Sequence, residues 1–225
     1  MKKSKARKQY DAGEKIRLAG DPVDCYFFCE YGSVTFSKTS HLGKRQIIGF
    51  AFQGDYFGLT GLPYFPSDLH ANTTTIIQEI NLDHFRHLID SAPEFRQLLF
   101  KQLQSYSDGF TELIFSLGAK DAIGKIASFF IYLLMRKHGH GLKEKVIDIQ
   151  LTRHEIGDFL GLNSATVSRV ITKFKKLKLV DFSVDGQIQI KDVQRLSEYA
   201  DLKMQMDRLG YLDKTPLKSE TSKTR

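Results

Sequence analysis

The stretch L-T-R-H-E-I-G-D-F-L-G-L-N-S-A-T-V-S-R-V-I-T-K-F-K-K-L-K-L-V, residues 151–180, decides how the chain is read. Thr152 and Glu155 form the pattern in which two side chains cap each other's backbone amides, so a helix opens here. Ile156, Phe159 and Leu160 recur at helical spacing and give that helix one apolar face. Gly161 follows where the chain must reverse, and glycine takes the left-handed conformation that ends a helix at little cost. Asn163 is a good N-cap for a second helix. Along that helix Val167, Val170, Ile171 and Phe174 point inward, leaving Ser164, Ala165, Ser168, Arg169, Lys173 and Lys176 outside. Small polar residues and one Arg near the start, then lysines, suit the major groove of double-stranded DNA. The first turns reach base edges and the lysines lie near phosphates. Thr152, Arg153 and Thr166 are expected at phosphates or as helix caps.

Immediately downstream, K-L-V-D-F-S-V-D-G-Q-I-Q-I (residues 178–190) places alternating stretches on either side of Asp185-Gly186, a two-residue hairpin signal. Helix, turn, helix and hairpin together make a winged helix.

Upstream the pattern changes to short strands broken by Gly turns, from Gly13 to Ile80. Strands are expected at K-I-R-L-A, on both sides of Gly32, after Leu42-Gly43, and at T-T-T-I-I-Q-E-I, with a glycine-rich corner at Q-G-D-Y-F-G-L-T-G-L. Many short strands with evenly spaced Gly predict an antiparallel barrel or jelly roll. Leu82 to Ser91 reads as a short helix. From Pro93 a long one begins, with Phe95, Leu98, Leu99, Leu103, Tyr106, Phe110, Leu113, Ile114 and Leu117 recurring at three and four as a seam facing a partner. Gly118-Ala119 is a hinge, and Ala122 to Lys137 is a further amphipathic helix.

The formal charge of +7 concentrates at Lys2 to Lys8, Arg169 to Lys178 and after Lys214. The middle cluster coincides with the second helix of the helix-turn-helix, as phosphate contact requires. No apolar run approaches a membrane span, and no apolar leader follows the basic N-terminus, so no membrane partner and a cytoplasmic location are expected. Two Cys argue against a disulfide framework. Cys25 and Cys29 fall on one face of a strand. His84 and His87 lie one helical turn apart without a third ligand, so no metal site is expected. The chain has no Walker loop, G-x-S-x-G, H-E-x-x-H or paired-Cys motif, and no enzymatic chemistry is read from it.

The words T-R-H-E-I-G-D-F-L-G-L and T-V-S-R, followed by the wing, resemble the CRP/FNR superfamily of bacterial transcription regulators, its FNR/FixK branch in particular. The corner F-x-x-G-D-Y-F-G and the strand order extend the resemblance from about Tyr10 to Tyr199. It implies an α+β fold: a cyclic-nucleotide-binding-like β-roll, a long dimerisation helix and a C-terminal winged helix-turn-helix. On that reading residues 1–9 are a disordered basic arm and 10–92 the β-roll. Residues 93–118 are the dimer helix, 119–200 the winged helix, and 201–225 a largely disordered tail that begins helical. The long helix would pair with its two-fold mate through Leu99, Leu103, Phe110, Leu113, Ile114 and Leu117, giving a homodimer.

The resemblance assigns Arg169 to a guanine and Ser168 to the thymines of a TTGAT-type half-site. The family's usual Glu three residues earlier is Ala165 here, so the positions it reads should be relaxed, or read by Ser164. CRP-like pockets resemble F-G-E-L followed by R-S-A. Here F-G-L-T and D-L-H-A put Leu59 for the ribose acceptor, Leu69 for the phosphate-binding Arg and His70 for Ser, beside Gly58. A pocket so degenerate argues against cAMP or cGMP. FNR-like iron–sulfur sensors need four thiolates. This chain has two Cys, none before Cys25, and Gln78 at the β-roll position, so no cofactor is expected. The reading is a homodimeric regulator, by resemblance an activator that touches RNA polymerase. The alternative is a ligand-gated regulator whose β-roll holds a small molecule that is not a cyclic nucleotide.

Overall fold

The computed structural model describes residues 5–138, 146–147, 151–183 and 187–208. Its N-terminal half is two four-stranded antiparallel sheets packed face to face. One has the order β1 (Lys5–Tyr10), β8 (Thr75–Asn81), β3 (Cys25–Tyr31), β6 (Tyr56–Phe57). The other has the order β2 (Lys15–Arg17), β7 (Asp68–Ala71), β4 (Ser33–Thr39), β5 (Arg45–Phe52). Alternation along the strands sends Cys25, Phe27, Cys29 and Ile77 from one sheet to meet Val34, Ala51, Leu69 and Ala71 from the other. The outer face of the first sheet, with Tyr26, Phe28 and Ile80, is covered by α1 (Leu82–Ser91) and the start of α2 (Pro93–Ala119) through Phe85, Phe95 and Leu99. Asn81 caps α1 by accepting the His84 amide at 2.7 Å.

The expected disordered arm is corrected by the structure. Residues 5–10 are strand β1, paired with β8 from Lys5↔Ile80 to Tyr10↔Thr75. The charges of Arg7 and Lys8 stay exposed but find partners. Arg7 pairs with Glu30 at 2.5 Å and Lys8 with Glu79 at 2.9 Å, while Tyr10 closes the inter-sheet core.

Residues 119–208 form the second unit. Helix α3 (Ala122–His138) carries an almost wholly buried run from Ile126 to Leu134. Helices α4 (Arg153–Leu160) and α5 (Ser164–Lys176) follow, then a small sheet of order β10 (Val180–Phe182), β11 (Ile188–Ile190), β9 (Val146–Ile147), and α6 (Val193–Tyr199). Strands β10 and β11 pair Val180↔Ile190 and Phe182↔Ile188, the register of a wing. The Asp185-Gly186 turn between them lies outside the described residues. At the start of the tail, α7 (Lys203–Arg208) follows Leu202, and Leu202 and Met206 join the core of this unit. Residues 209–225 lie outside the described residues.

The two units share one apolar core. Phe50 leaves β5 and stacks against Phe159 of α4, ring centroids 5.1 Å apart, and against Phe129 of α3 at 6.1 Å. The Gln46 amide donates to the Phe159 carbonyl at 3.1 Å across the same junction.

Candidate DNA-binding site

The helix-turn-helix is built by caps that the local sequence supplies. The Thr152 hydroxyl accepts the Glu155 amide at 3.1 Å, and the Glu155 carboxylate accepts the Thr152 amide at 2.9 Å. Thr152 is thereby engaged as a cap. Gly161 ends α4 at φ +65°. The Leu162 amide then donates to the Gly157 carbonyl at 3.0 Å, closing the turn. Asn163 caps α5 by accepting the Thr166 amide at 2.8 Å.

Along α5, Val167, Val170, Ile171 and Phe174 are buried and pack the helix onto α3 and α4. Ser164, Ala165, Ser168, Arg169, Lys173 and Lys176 are all exposed, as the periodicity predicts. The helix has 13 residues, about 20 Å at 1.5 Å per residue, enough to cross a major groove about 12 Å wide. No acidic residue lies between Ser164 and Lys178, and the last turn carries Lys173, Lys175 and Lys176. The positive end therefore also offsets the partial negative charge of the helix C-terminus.

Two details are not legible in the sequence. Arg169 is folded along its own helix, its guanidinium donating to the Thr166 hydroxyl at 3.0 Å, so Thr166 holds its side chain in place. Arg153 does not project freely. Its guanidinium lies 4.3 Å from the Phe182 ring centroid on the wing, with the Lys175 ammonium 5.0 Å from the same ring. Burial lowers the Arg153 pKa from its ordinary value. The two cations and the ring tie α4, α5 and β10 into one face. Lys175 joins that face although periodicity alone does not single it out.

Helix α2 presents two apolar seams rather than one. Phe95, Leu99, Gln102, Tyr106, Leu113 and Ser116 are buried or half-buried against the helix's own chain. Phe100, Leu103, Phe110 and Ile114 are exposed, Ile114 at 72% and Phe100 at 63%. Leu103, Phe110 and Ile114 thus lie where a second helix can reach them, with Leu117 half-exposed beside them. Leu99 and Leu113 are corrected: Leu99 packs on Ile80 and Phe85, and Leu113 joins the core shared with α3. Phe100 takes the place of Leu99 on the open seam.

A Crp-like helix-turn-helix domain model matches residues 124–199, and a cyclic nucleotide-binding domain model matches residues 7–92. The transcriptional activator protein FnrL of Cereibacter sphaeroides is 28% identical over 204 residues, covering 89% of this chain and 82% of FnrL. Electron transport regulator A of Shewanella oneidensis is 29% identical over 177 residues, 78% of this chain and 71% of that protein. FixK2 from Bradyrhizobium japonicum superimposes with a TM-score of 0.76 at 24% identity, over 87% of this chain and 96% of its own. CooA from Carboxydothermus hydrogenoformans, in a mutant form, gives 0.71 at 20% identity, over 88% of each. The chain belongs to the CRP/FNR superfamily.

It is accordingly a DNA-binding transcription regulator with the superfamily's β-roll, long helix and winged helix-turn-helix in sequence order. Among CRP/FNR proteins the β-roll is where an effector would be sought, and here its expected pocket residues do not line one space. Leu69 is buried in the inter-sheet core. Leu59 turns instead toward Ile80, Phe85 and Leu99 under α1. His70, next to Leu69 on β7, faces the opposite side of the sheet and pairs across to Thr35. Burial lowers its pKa, and Arg45 and Lys15 lower it further. Gly58 holds φ +76°, where a Cβ would meet the Phe27 ring at 2.8 Å. Gly58, Leu59 and Leu69 thus take part in the β-roll's packing, with His70 half-buried next to Leu69.

Cys25 and Cys29 are free, buried and on one face of β3. Burial pushes both thiols up to about 12, with Arg17 pulling Cys25 back and Asp55 pushing Cys29 further. Such thiols are poor nucleophiles at neutral pH. Among the described residues no group of three or more His, Cys, Asp or Glu side chains is placed to hold a metal ion, and no helix is long and apolar enough to cross a membrane.

Proposed function

We propose that this CRP/FNR protein is a cytoplasmic homodimeric transcription activator that binds a palindromic, TTGA-like site without cAMP or an iron–sulfur cluster. The observation that carries the reading is the pairing of a fully exposed, acid-free face on α5 with an exposed seam, Phe100–Leu103–Phe110–Ile114, on α2. One face reads a half-site, and the other supplies the two-fold axis that makes half-sites palindromic and about one helical turn apart. Arg169 faces guanine with its two-donor fork, Ser168 lies beside it, and the methyl of Ala165 offers no acceptor to a neighbouring base. Lys173, Lys175 and Lys176 neutralise phosphates. Leu69 in the core and Leu59 under α1 supply neither an anion receptor nor a ribose acceptor. Activation follows the name of FnrL, a transcriptional activator protein, and contact with RNA polymerase is the route we propose for it.

In vitro selection of DNA by the purified apo-protein at a stated salt concentration tests this. A palindrome with a TTGA-like core is expected, relaxed where Ala165 faces the groove. Enrichment of single half-sites, or of nothing, counts against it.

A second reading, gating by a small molecule, would have to open the cavity where β5, α2, α3 and α4 meet. At about 40 Å³ that cavity has room for a water or two, far below the roughly 300 Å³ of a small ligand pocket. Its walls include Ile48, Gly49, Phe110, Leu113 and Phe159, and it touches the buried Ser116, whose hydroxyl has no hydrogen-bond partner. DNA binding by exhaustively washed, delipidated protein would remove this alternative.

A further inference from the structure

Between the β-roll, the long helix and the winged helix lies a charged group that DNA reading does not use. Arg136, near the C-terminal end of α3, runs back over α2 into the β5–β6 corner. Its guanidinium donates to the Asp55 carboxylate at 2.7 Å and to the Ser105 hydroxyl at 3.3 Å. Both side chains are nearly out of solvent, at 9% and 14% exposure. The same Asp55 oxygen accepts the Phe52 amide at 2.7 Å and the Tyr106 hydroxyl at 3.3 Å. The Tyr106 ring lies under the guanidinium at 4.4 Å and the Phe52 ring at 5.9 Å. Burial, the largest single influence, would lower the Arg136 pKa, but Asp55 together with Tyr106 and Tyr132 outweighs it and the group is held above its ordinary value.

The corner itself is fixed. The Cys29 amide donates to the Asp55 carbonyl at 2.9 Å, and buried Gln102 of α2 accepts the Tyr56 amide at 2.9 Å while donating to the Tyr56 carbonyl. Asp55 is therefore a fixed point shared by the β-roll and α2, and Arg136 ties α3 to it. The apolar part of the junction, Phe50 among Phe129 and Phe159, rewards burial but tolerates rotation, because apolar contact is not directional. A guanidinium–carboxylate bond does not tolerate it. Its Nε has no hydrogen-bond partner, so the guanidinium is anchored through its two terminal nitrogens, on Ser105 and Asp55.

We propose that Arg136 is a positioning residue that sets which half-site spacing this dimer accepts, by locking the winged helix to Asp55 on the β-roll. An ion pair of this kind need not add net stability. Matched apolar replacements are often as stable, whereas removal of one partner strands a buried charge. Its contribution would then be orientation rather than stability. The spacing part rests on the palindromic reading above; the locking part does not.

The test uses the full chain with nitroxides at Lys38→Cys in the β-roll and Gln194→Cys in the winged helix, both exposed positions. Labelled protein is diluted with unlabelled protein so that distances are within one protomer. The parent should give one narrow distance. Arg136→Met leaves Asp55 unpaired, and its Tm should fall by roughly 10 °C. Adding Asp55→Asn should restore most of that Tm. The distance distribution should stay broad in the double variant, and Arg136→Lys should narrow it part of the way back. A merely structural pair would regain its narrow distance along with its Tm, and that result overturns the lock. In DNA selection the double variant should accept spacers one base pair either side of the parent's. A spacing preference unchanged despite a broad distance overturns the role in spacing. If the parent itself selects no palindrome, the functional reading fails, while the distances still judge the lock.

Discussion

Gly157 offers a sharp test of the helix-turn-helix geometry, because the helix and the turn make opposite demands on it. It sits inside α4, where replacing Gly by Ala ordinarily stabilises by about 1 kcal/mol. A Cβ built there would stand 2.4 Å from the Leu162 carbonyl oxygen, 0.6 Å inside the 3.0 Å that real contacts respect. That oxygen is backbone, in the turn that leads into α5, and cannot swing aside like a side-chain tip. Gly157 also accepts the Leu162 amide through its own carbonyl at 3.0 Å, so pushing the turn away breaks that bond. One such bond contributes about 1 kcal/mol and overpacking costs about 1–3 kcal/mol. Set against the helix gain of about 1 kcal/mol, Gly157→Ala should therefore lose about 1–3 kcal/mol net in urea unfolding, and α5 should no longer meet α4 at the angle that DNA requires. Gly161→Ala is the control: its φ is +65° with nothing within 4 Å of a Cβ, so only the left-handed backbone penalty of about 1–2 kcal/mol applies. Fluorescence anisotropy with the selected DNA provides the second readout. A Gly157→Ala protein as stable as the parent, or more stable as helix propensity alone requires, would refute the steric argument.

Arg169→Ala should abolish specific binding. The lost discrimination is about 1–3 kcal/mol per half-site, read in competition against sites altered at the guanine; undiminished preference for the parent site would remove Arg169 from the reading role. Lys173→Ala with Lys176→Ala should weaken binding to all sequences alike and reduce the slope of log K against log salt by about 0.9 for each phosphate no longer neutralised. The buried thiols set an alkaline limit. The unfolded chain loses these protons near pH 8.5, whereas the folded chain holds them to about 12. Stability from this source is thus complete below that lower pH and falls as pH rises above it. Between pH 8 and 11, urea midpoints of Cys25→Ala/Cys29→Ala should decline less steeply than the parent's; parallel declines would refute the assignment.

The parts of the fold that announce themselves in the sequence are those built by near neighbours. Thr152, Glu155, Gly161 and Asn163 specify the helix-turn-helix through bonds spanning three or four residues, so reading them requires no knowledge of the rest. Strand β1 escapes such a reading for the opposite reason. K-A-R-K-Q-Y has no apolar alternation, and it becomes a strand only because β8, some seventy residues on, presents an edge with Glu79 to pair Lys8. Strand β7 hides in the same way among turn residues. The long helix shows a subtler failure. Because α2 lies between its own β-roll and an open side, two seams three and four apart interleave along it, and spacing alone cannot assign Leu99 to one and Phe100 to the other. Only burial separates them. The Asp55–Arg136 pair is invisible for want of any local pattern at all, since its members are 81 positions apart.

Control of such a regulator is constrained by what fills its β-roll. An effector shifts a two-state equilibrium only as far as its affinities for the two states differ. In this β-roll Leu69 fills the space between the sheets and Leu59 packs under α1, which under the proposed reading leaves no recognition of a charged nucleotide. Under the proposed lock, the orientation of the winged helix is held instead by directional contacts: Gln46 on the Phe159 carbonyl and Arg136 on Asp55. With orientation built in, the remaining variable under the proposed reading is dimer formation along Phe100, Leu103, Phe110 and Ile114, which depends on protomer concentration by mass action. Control would then act on the amount of protein made. Ile114→Asp, which places a charge at the most exposed point of that seam, would mimic a fall in concentration: specific DNA binding should be lost at low protein and recovered at high protein, with the β-roll core unperturbed.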